Sequence, residues 1–249
     1  MSMEWTAAVH SAGLVAFTKN ESANFRADVQ KRLSARSLPS NLRHADEQSV
    51  AGLGAILDAI DRSHLELNEF ENWGVVAAPR SPGRDAMISS LTRYRNDGAW
   101  GVSPQLIPHY SLHSLSGLAS VTFRFTGPNI GTGGTTGRES DAILAAASFI
   151  NDGHVRGVWL VMTGWEFEET PNAICRAVAL ALAPNGASST PQLSLSFSAT
   201  GSATSQFSLE SLHEVLSAAV PGPDRHWSLP GDGRLTWRIP EEAPVEVAA

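Results

Sequence analysis

The strongest constraint on the fold is a glycine-rich turn that joins a strand-like segment to a helix. The turn, TGPNIGTGGTTG, covers Thr126 to Gly137 and follows the apolar, β-branched run GLASVTFRF. RESDAILAAASFIND comes next, with apolar residues at helical spacing and Gly153 just past its end. The apolar run from Gly157 to Glu166 then predicts a buried strand. This order predicts a βαβ unit, and therefore an α/β fold with an at least partly parallel sheet.

The residues before the turn supply further elements of the same kind. Apolar runs predict strands, and apolar residues spaced by three and four predict helices. In chain order the pattern predicts a strand (Trp5–Phe17), a polar surface excursion (Lys19–Glu47), a helix around Val50 to Ile60 that Asp46 or Ser49 could cap, a buried strand (Trp73–Pro79) and a second helix (Arg84–Asp97).

The residues after the βαβ unit predict two strands, a helix and a hairpin. The strands are AICRAVALALAP and QLSLSFSA, and we expect them to pair antiparallel because the link Asn185–Pro191 is too short for a crossover helix. SLESLHEVLSAAV predicts a late helix. RHWSLPGDGRLTWRI predicts a strand-turn-strand unit centred on Gly231–Gly233.

Bulk properties exclude several function classes. The chain has 249 residues, which suits one large domain, and its net charge of -7 argues against a nucleic-acid partner. Cys175 is the only cysteine, so no internal disulfide framework is possible and a reducing compartment is favoured. We find neither a signal peptide nor an apolar run that could span a membrane, and expect a cytoplasmic protein.

The glycine turn is the main candidate site. Backbone amides at the following helix N-terminus could bind an oxyanion or a phosphate, or the glycines could simply form a tight turn under a buried helix. Gly131, Gly133 and Gly137 also match a loose nicotinamide-binding spacing. The strict fingerprint fails, because Thr136 stands where its third glycine belongs and Glu166 comes late for a ribose ligand.

Two other sets of residues are of types that can form a chemical site. His109 and His113 stand four residues apart, as helical metal ligands do, but Pro104 and Pro108 argue against a regular helix there. Cys175 lies in an apolar run, where a cysteine is usually a small buried hydrophobe rather than a nucleophile. We therefore predict no metal site and no cofactor.

The segment from Val102 to Glu166 resembles the central part of the N-terminal half of β-ketoacyl synthases. That family carries an ordered series of short motifs, and the helix near Val50 and the strand NWGVVAAP fit its upstream elements. The resemblance covers Trp5 to Pro184. It implies a thiolase-like half with a mixed, mostly parallel sheet and packed helices, in one domain (1–240) before a disordered tail (241–249). The matching positions are Ser103-Pro104, Pro108, Gly117, Gly127-Pro128, Gly153 and Glu166.

The resemblance also places a threonine where the family has its nucleophile. Counting from Gly127-Pro128 puts Thr136 at the cysteine position. A hydroxyl has a far higher pKa than a thiol and needs a dedicated base, and the family's two histidines belong to a second half for which this chain is too short. The resemblance implies no confident catalytic residue, and a substrate-binding turn formed by Gly133, Gly134, Thr135, Thr136 and Gly137.

Chain-length factors are members of this family that lack the cysteine and pair with an active ketosynthase. The resemblance therefore implies a ketosynthase-like partner, or a second copy of this chain, and an acyl carrier protein as a further candidate. In such folds the strand before the nucleophile turn lies at the dimer interface. We expect SVTFRF to be that strand, with Phe123, Phe125 and Pro128 at the interface. A half-fold would also expose an apolar flank that a partner could cover.

Three functions follow from these observations. The first is a non-catalytic, chain-length-factor-type subunit in fatty-acid or polyketide-type biosynthesis, inactive alone. The second is an acyl-thioester-handling enzyme that uses Thr136 or Ser140, with the glycine turn as oxyanion hole. The third is a nicotinamide-dependent oxidoreductase.

Overall fold

A mixed β-sheet with helices on both faces organises the chain, as seen in a computed structural model. The structure describes residues 3–63, 66–153, 155–166, 170, 172–184, 191–197, 205–218, 223–230 and 232–239, so the predicted tail at 241–249 lies outside the described residues. The strands are β1 (Met3–Thr18), β2 (Gly74–Pro79), β3 (Asn129–Gly131), β4 (Val158–Glu166), β5 (Ile174–Ala183), β6 (Gln192–Phe197), β7 (Arg225–Leu229) and β8 (Gly233–Arg238). The helices are α1 (Ser22–Ala35), α2 (Glu47–Arg62), α3 (Arg84–Asp97), α4 (Leu106–Tyr110), α5 (Ser114–Phe123), α6 (Ser140–Asn151) and α7 (Leu209–Ala218).

The sheet has the strand order β3-β2-β4-β5-β1-β6-β8-β7. β2 is parallel to both β3 and β4, and the chain passes from β3 through α6 to β4. The predicted helix and second strand of the βαβ unit are confirmed, but its first strand is β3, inside the glycine turn, and β2 lies between β3 and β4. The other strand pairs in the described residues are antiparallel. The predicted α/β class and mixed sheet are confirmed, but the parallel part is confined to three neighbouring strands. Links such as the one from β4 to β5 are too short for the crossover that a parallel pair needs.

Helices on the two faces of the sheet bury two separate apolar cores. Helices α1, α2 and α5 cover one face, and α6 and α7 cover the other. Along β4, Trp159 and Val161 face the first core, whereas Leu160 and Met162 face the second. Successive side chains of a strand point to opposite faces, so a strand that is covered on both sides is apolar throughout.

Helix α2 lies so close to β1 at Gly13 that no side chain fits at that position. Asp46 caps the helix, its carboxylate accepting a hydrogen bond from the Gln48 amide at 3.2 Å, as the sequence predicted. Gly13 of β1 faces the helix, and a Cβ there would lie 2.0 Å from the carbonyl oxygen of Ala55. This contact fixes the distance between α2 and the sheet, because only glycine permits it.

Strand β1 is long enough to pair with two strands. Its segment Ala8–Thr18 pairs with β5, and its first residues, Met3–Ala8, pair with β6. The prediction that β5 and β6 pair with each other is therefore wrong, since they lie on opposite sides of β1. The link between them, of which 185–190 lie outside the described residues, only has to cross the width of one strand, and about eight residues can span that distance.

The last elements close the second face of the sheet. β6, α7, β7 and β8 form what we call the carboxyl-terminal unit, and the predicted late helix and hairpin within it are confirmed. Leu209 and Leu212 of α7 and Trp227 and Trp237 of the hairpin are buried in the same core as α6. The carboxyl-terminal unit therefore covers part of the apolar surface that we expected a partner to cover.

The prediction of a strand at SVTFRF is wrong, because α5 continues through Phe123. Leu115, Ala119 and Phe123 share a buried face at helical spacing, which outweighs the β-branched residues between them. The ring of Phe125 stacks on Phe123 at 5.4 Å between centroids. Both phenylalanines are buried in the chain's own core, so neither offers surface to a partner. Pro128 is exposed just before β3, and its place in an interface stays a prediction.

The predicted surface excursion between Lys19 and Glu47 contains a helix. Val29 and Leu33 of α1 are fully buried against the core formed by α2. Two apolar positions four residues apart are enough to fix one face of a helix that is polar elsewhere. The polar composition of the segment therefore reflects its exposed faces and not a lack of structure.

The contact between β1 and α2 predicts a large effect for one methyl group. Gly13→Ala should destabilise the protein by about 3 kcal/mol, because the added carbon would overlap the helix backbone. Gly117→Ala is the control: its Cβ would meet nothing closer than 3.7 Å, and alanine is the better helix former. Urea unfolding measures both changes. Equal stability of the two variants would contradict the packing described.

Candidate functional site

The glycine turn leaves the edge strand β3 and leads into α6. Gly133, Gly134 and Gly137 all have left-handed backbone, with φ of 82°, 89° and 82°. A Cβ at Gly131 would lie 2.0 Å from the carbonyl oxygen of Leu112, so the backbone of β3 is in direct contact with the α4–α5 junction. The expected close approach of backbone to backbone is confirmed, and it explains the glycines in part without a ligand.

The structure places the predicted substrate-binding residues in this one turn. Thr135 and Thr136 are exposed, and the three glycines beside them are partly exposed. No hydrogen bond of the Thr136 hydroxyl to a base occurs in the described residues. A hydroxyl nucleophile requires such a base, so the turn as folded does not activate Thr136. Its role in binding substrate stays a prediction.

The other candidate residues are separated from this turn or closed to solvent. The Ser140 hydroxyl is buried and has no hydrogen-bond partner in the described residues. Cys175 is buried in β5, as predicted. The carboxylate of Glu166, the candidate ribose ligand, accepts a hydrogen bond from Arg176 at 3.1 Å. His113 contacts the hydroxyl of Ser116 at 3.2 Å.

An arginine directly after β2 dominates the environment of the turn. The Arg80 guanidinium donates from Nε to Oε1 of Glu139 at 3.0 Å, immediately before α6. It also donates from Nη1 and Nη2 to the two carboxylate oxygens of Glu210 on α7, at 2.5 and 3.1 Å. We call this set of three side chains the Arg80 clamp, because it binds the starts of two helices to the end of one strand.

The Arg80 clamp is largely removed from water. The side chains of Arg80 and Glu139 are 11% and 4% exposed, and that of Glu210 is 35% exposed. Burial disfavours the charge on Arg80, but hydrogen bonds and charge attraction from Glu210 and Glu139 outweigh it and raise the arginine pKa. Burial likewise opposes ionisation of Glu210, yet the Arg80 hydrogen bond lowers its pKa. Arg80 and Glu210 are therefore charged throughout the neutral pH range.

Backbone contacts hold Arg80 in place beneath the turn. Its amide donates to the carbonyl of Thr163 on β4 at 2.8 Å, and the next amide, that of Ser81, donates to the carbonyl of Gly134 at 3.0 Å. The side-chain amide of Gln48 donates to the Arg80 carbonyl at 2.7 Å. These bonds connect the glycine turn, α2, β2 and β4 at the backbone of Arg80.

This arrangement alters what the start of α6 can do. A free helix N-terminus stabilises an anion such as a thiolate or an oxyanion. Here the residue before α6 is Glu139, whose buried carboxylate pairs with Arg80 and forms no capping hydrogen bond with the helix amides. Its second oxygen, Oε2, is buried without a partner in the described residues. A second negative charge forming beside it would be repelled, so the clamp favours a structural role for the turn.

Sequence reasoning missed the clamp. Arg80 follows an apolar strand and Glu139 precedes a helix, which are common positions for charged residues. Glu210 is 130 residues away from Arg80, and only the packing of α7 next to α6 brings them together. The one signal of the clamp in the sequence is an arginine directly after an apolar strand, with no acidic residue beside it.

Two further predictions concern what the chain does not contain. Within the residues described, no group of three or more histidine, cysteine, aspartate or glutamate side chains could hold a metal ion. No helix in that part of the chain has the length and apolar character needed to cross a membrane.

The fold is thiolase-like and ketosynthase-like, with helices packed on a mixed sheet. No protein-family model matches the sequence, and no curated protein matches it. A chain of a solved complex described as AntDE:AntF, a type II polyketide synthase acyl-carrier protein with its ketosynthase bound to the hexaketide, is similar in structure. It is 14% identical, with a TM-score of 0.63, over 95% of this chain and 100% of that one.

Two larger structures share part of their fold with this chain. The ishigamide ketosynthase/chain length factor is 15% identical over 77% of this chain and 65% of its own, with a TM-score of 0.51. The ketosynthase ApeO in complex with its chain length factor ApeC, from Xenorhabdus doucetiae, is 13% identical over 77% and 60%, with a TM-score of 0.50. The chain thus spans the whole of the first similar structure and less than two thirds of these two.

The Arg80 clamp predicts an asymmetric response to mutation. Arg80→Met should destabilise the protein by about 3–5 kcal/mol, because it leaves the buried Glu139 carboxylate without a counter-charge. Adding Glu139→Gln to that variant should recover about 1–2 kcal/mol, since the uncompensated charge is then removed as well. Urea unfolding of the single and double variants measures this. Strictly additive losses would contradict a coupled buried pair.

Proposed function

We propose that this chain is a non-catalytic, ketosynthase-like subunit of the chain-length-factor type, which pairs with an active ketosynthase in fatty-acid or polyketide-type biosynthesis. The observation that carries the proposal is the Arg80 clamp on a ketosynthase-like fold. At the position that the resemblance aligns with the nucleophile, this chain has Thr136, which is exposed and has no base, and the buried Arg80–Glu139 ion pair lies just before the next helix.

The open edge of the sheet supports pairing with another chain. β3 bonds only to β2 among the described strands. The flanking bonds run from Val75 to the Pro128 carbonyl and from Thr132 to the Ala77 carbonyl. Alternate residues of a strand face the same neighbour, so Ile130 faces β2 while Asn129 and Gly131 present their N–H and C=O groups to the open edge. An unpaired edge is a template for a strand of a second chain.

In the sequence, exposed apolar side chains are concentrated in the segment that leads to this edge strand. Of the nine large hydrophobic residues that are exposed in the described chain, eight lie between α3 and β3. Trp100 is 98% exposed. A segment that exposes this many apolar side chains is a candidate for contact with a partner. The eight are Ile88, Leu91, Tyr94, Trp100, Ile107, Leu112, Val121 and Ile130.

The similar structures agree with this choice of partner. Two are described as a ketosynthase with a chain length factor, and one as an acyl-carrier protein in complex with its ketosynthase. Because these likenesses carry 13–15% identity, they support the partner class only together with the site and the edge strand. The acyl carrier protein stays a further candidate partner, and the cytoplasm stays the predicted compartment.

The proposal predicts a stable complex with a ketosynthase. When the chain is co-expressed with ketosynthases of its source organism, one of them should co-purify with it at a 1:1 ratio in native mass spectrometry. A second copy of this chain as the sole partner would replace the heterodimer by a homodimer. A monomer in the presence of every ketosynthase tested would contradict the proposal.

The edge strand can be tested by two substitutions at one position. Asn129→Pro removes the outward N–H without touching the bonds to β2, and should abolish the complex while the melting temperature of the free chain stays within about 2 °C. Asn129→Ala keeps the N–H and should retain the complex. An intact complex with the proline variant would show that the partner binds elsewhere.

Acyl transfer distinguishes the proposal from an enzyme that uses Thr136. Incubation of the isolated chain with acyl-thioesters should leave its intact mass unchanged, because the Thr136 hydroxyl has no base. An active ketosynthase treated in parallel is the positive control. An acyl adduct that disappears in Thr136→Ala would overturn the non-catalytic assignment.

A further inference from the structure

A closed-in cavity lies where three helices begin, separate from the Arg80 clamp. Its volume is about 280 Å³. The first residues of α1, α2 and α3 line it, together with Tyr110 of α4 and Trp165 at the end of β4. Gln48 forms the wall towards the clamp, since its side-chain amide is bonded to the Arg80 carbonyl. The cavity lies outside the carboxyl ends of parallel strands, where α/β folds commonly bind small molecules.

Asp46 places a carboxylate without a counter-ion in the wall of this cavity. It is 6% exposed, caps α2 and forms none of the ion pairs found in the described residues. A buried carboxylate that forms no direct ion pair is energetically costly. Burial is the main cause, and the neighbouring Glu47 the second, that raise the Asp46 pKa to about 7. Hydrogen bonds from the Gln48 and Ser49 amides and the charge of Arg26 act on this pKa in the opposite direction.

The other charges around the cavity have partners of their own. Lys19 lies 3.7 Å from Asp85 of α3, and Glu47 lies 3.6 Å from Arg26 of α1. Arg84 also lines the cavity and is engaged in an interaction of its own. Tyr110 and Trp165 contribute aromatic side chains to the wall of the cavity. Asp46 is therefore the group whose charge a ligand would have to balance.

We propose that this cavity binds a small organic ammonium ion, with Asp46 as its counter-ion and the rings of Trp165 and Tyr110 as its walls. Aromatic faces attract cations, and a carboxylate in a water-poor site pairs with an ammonium group more strongly than at the surface. A metal ion is disfavoured because the described residues offer no set of three ligands for one. The cavity is at the small end of ligand sites, which favours a ligand smaller than a drug-sized molecule.

A pair of probes of nearly equal shape tests the charge requirement. At about pH 8, isothermal titration calorimetry should show 2-phenylethylamine binding at least about tenfold more tightly than 2-phenylethanol, which lacks the charge. At about pH 6 the amine stays protonated, but the Asp46 carboxyl is mostly neutral, so amine affinity should fall about tenfold. Equal affinities for amine and alcohol, or no saturable binding of the amine at millimolar concentration, would overturn the proposal.

One variant separates the charge of Asp46 from its capping role. Asp46→Ser keeps a hydroxyl that can cap α2 and removes the carboxylate. It should fold and bind the amine no better than the alcohol, whereas Asp97→Asn, at the far end of α3, should bind the amine as the wild type does. A folded Asp46→Ser protein with wild-type affinity for the amine would rule out Asp46 as the counter-ion.

Stability gives a second readout that needs no ligand. The folded state holds the Asp46 proton up to about pH 7, whereas the unfolded chain releases it near pH 3.8, the ordinary pKa of aspartate. Raising the pH through this window therefore favours the unfolded state. The urea midpoint of the wild type should fall between about pH 5 and pH 8, and that of Asp46→Ser should fall less. Parallel pH profiles of the two proteins would contradict an uncompensated carboxyl.

Discussion

The Arg80 guanidinium connects the parts of this fold that the backbone alone leaves separate. It extends from the end of β2, and its two partners stand at the starts of α6 and α7. Without it, the buried carboxylate of Glu139 would have no counter-charge, and α7 would contact the parallel strands only through apolar side chains. Arg80 thereby adds a charged contact to the apolar core and the β1–β6 pairing that position the carboxyl-terminal unit.

The local part of the fold could be predicted from the sequence because its signals are local. Periodicity located α2, α3 and α6, and alternation or continuous apolar character located β1, β2 and β4. Two errors had a common origin. Residue type predicts a strand at SVTFRF, and polarity predicts a surface excursion after Lys19. In both segments a few buried positions at helical spacing determine the structure instead. Burial is a tertiary property, and short amphipathic segments reveal it poorly.

Long-range arrangement was the part that could not be predicted. The pairing of β5 and β6 on opposite sides of β1 depends on the length of β1, which has no sequence signature. The candidate site shows the same division. The glycine turn was identified from its residues, whereas the Arg80 clamp and the Asp46 cavity join positions far apart in the chain. The place of Thr136 at the nucleophile position stays a prediction, and the buried ion pair of Glu139 with Arg80 could not be read from the sequence.

The division of β1 between two partner strands has a consequence for how the chain is made. Met3–Ala8 are translated long before their partner, Gln192–Phe197. During synthesis the first half of β1 therefore stays unpaired, with Trp5 and Ala7 uncovered, until β6 has been made. Contacts that join the two ends of a chain form slowly, because a long loop has to close first. The newly made chain therefore exposes an unpaired, aggregation-prone strand for longer than a protein whose strands pair with their neighbours in sequence. A chaperone or a partner subunit that binds early protects the chain most during that interval.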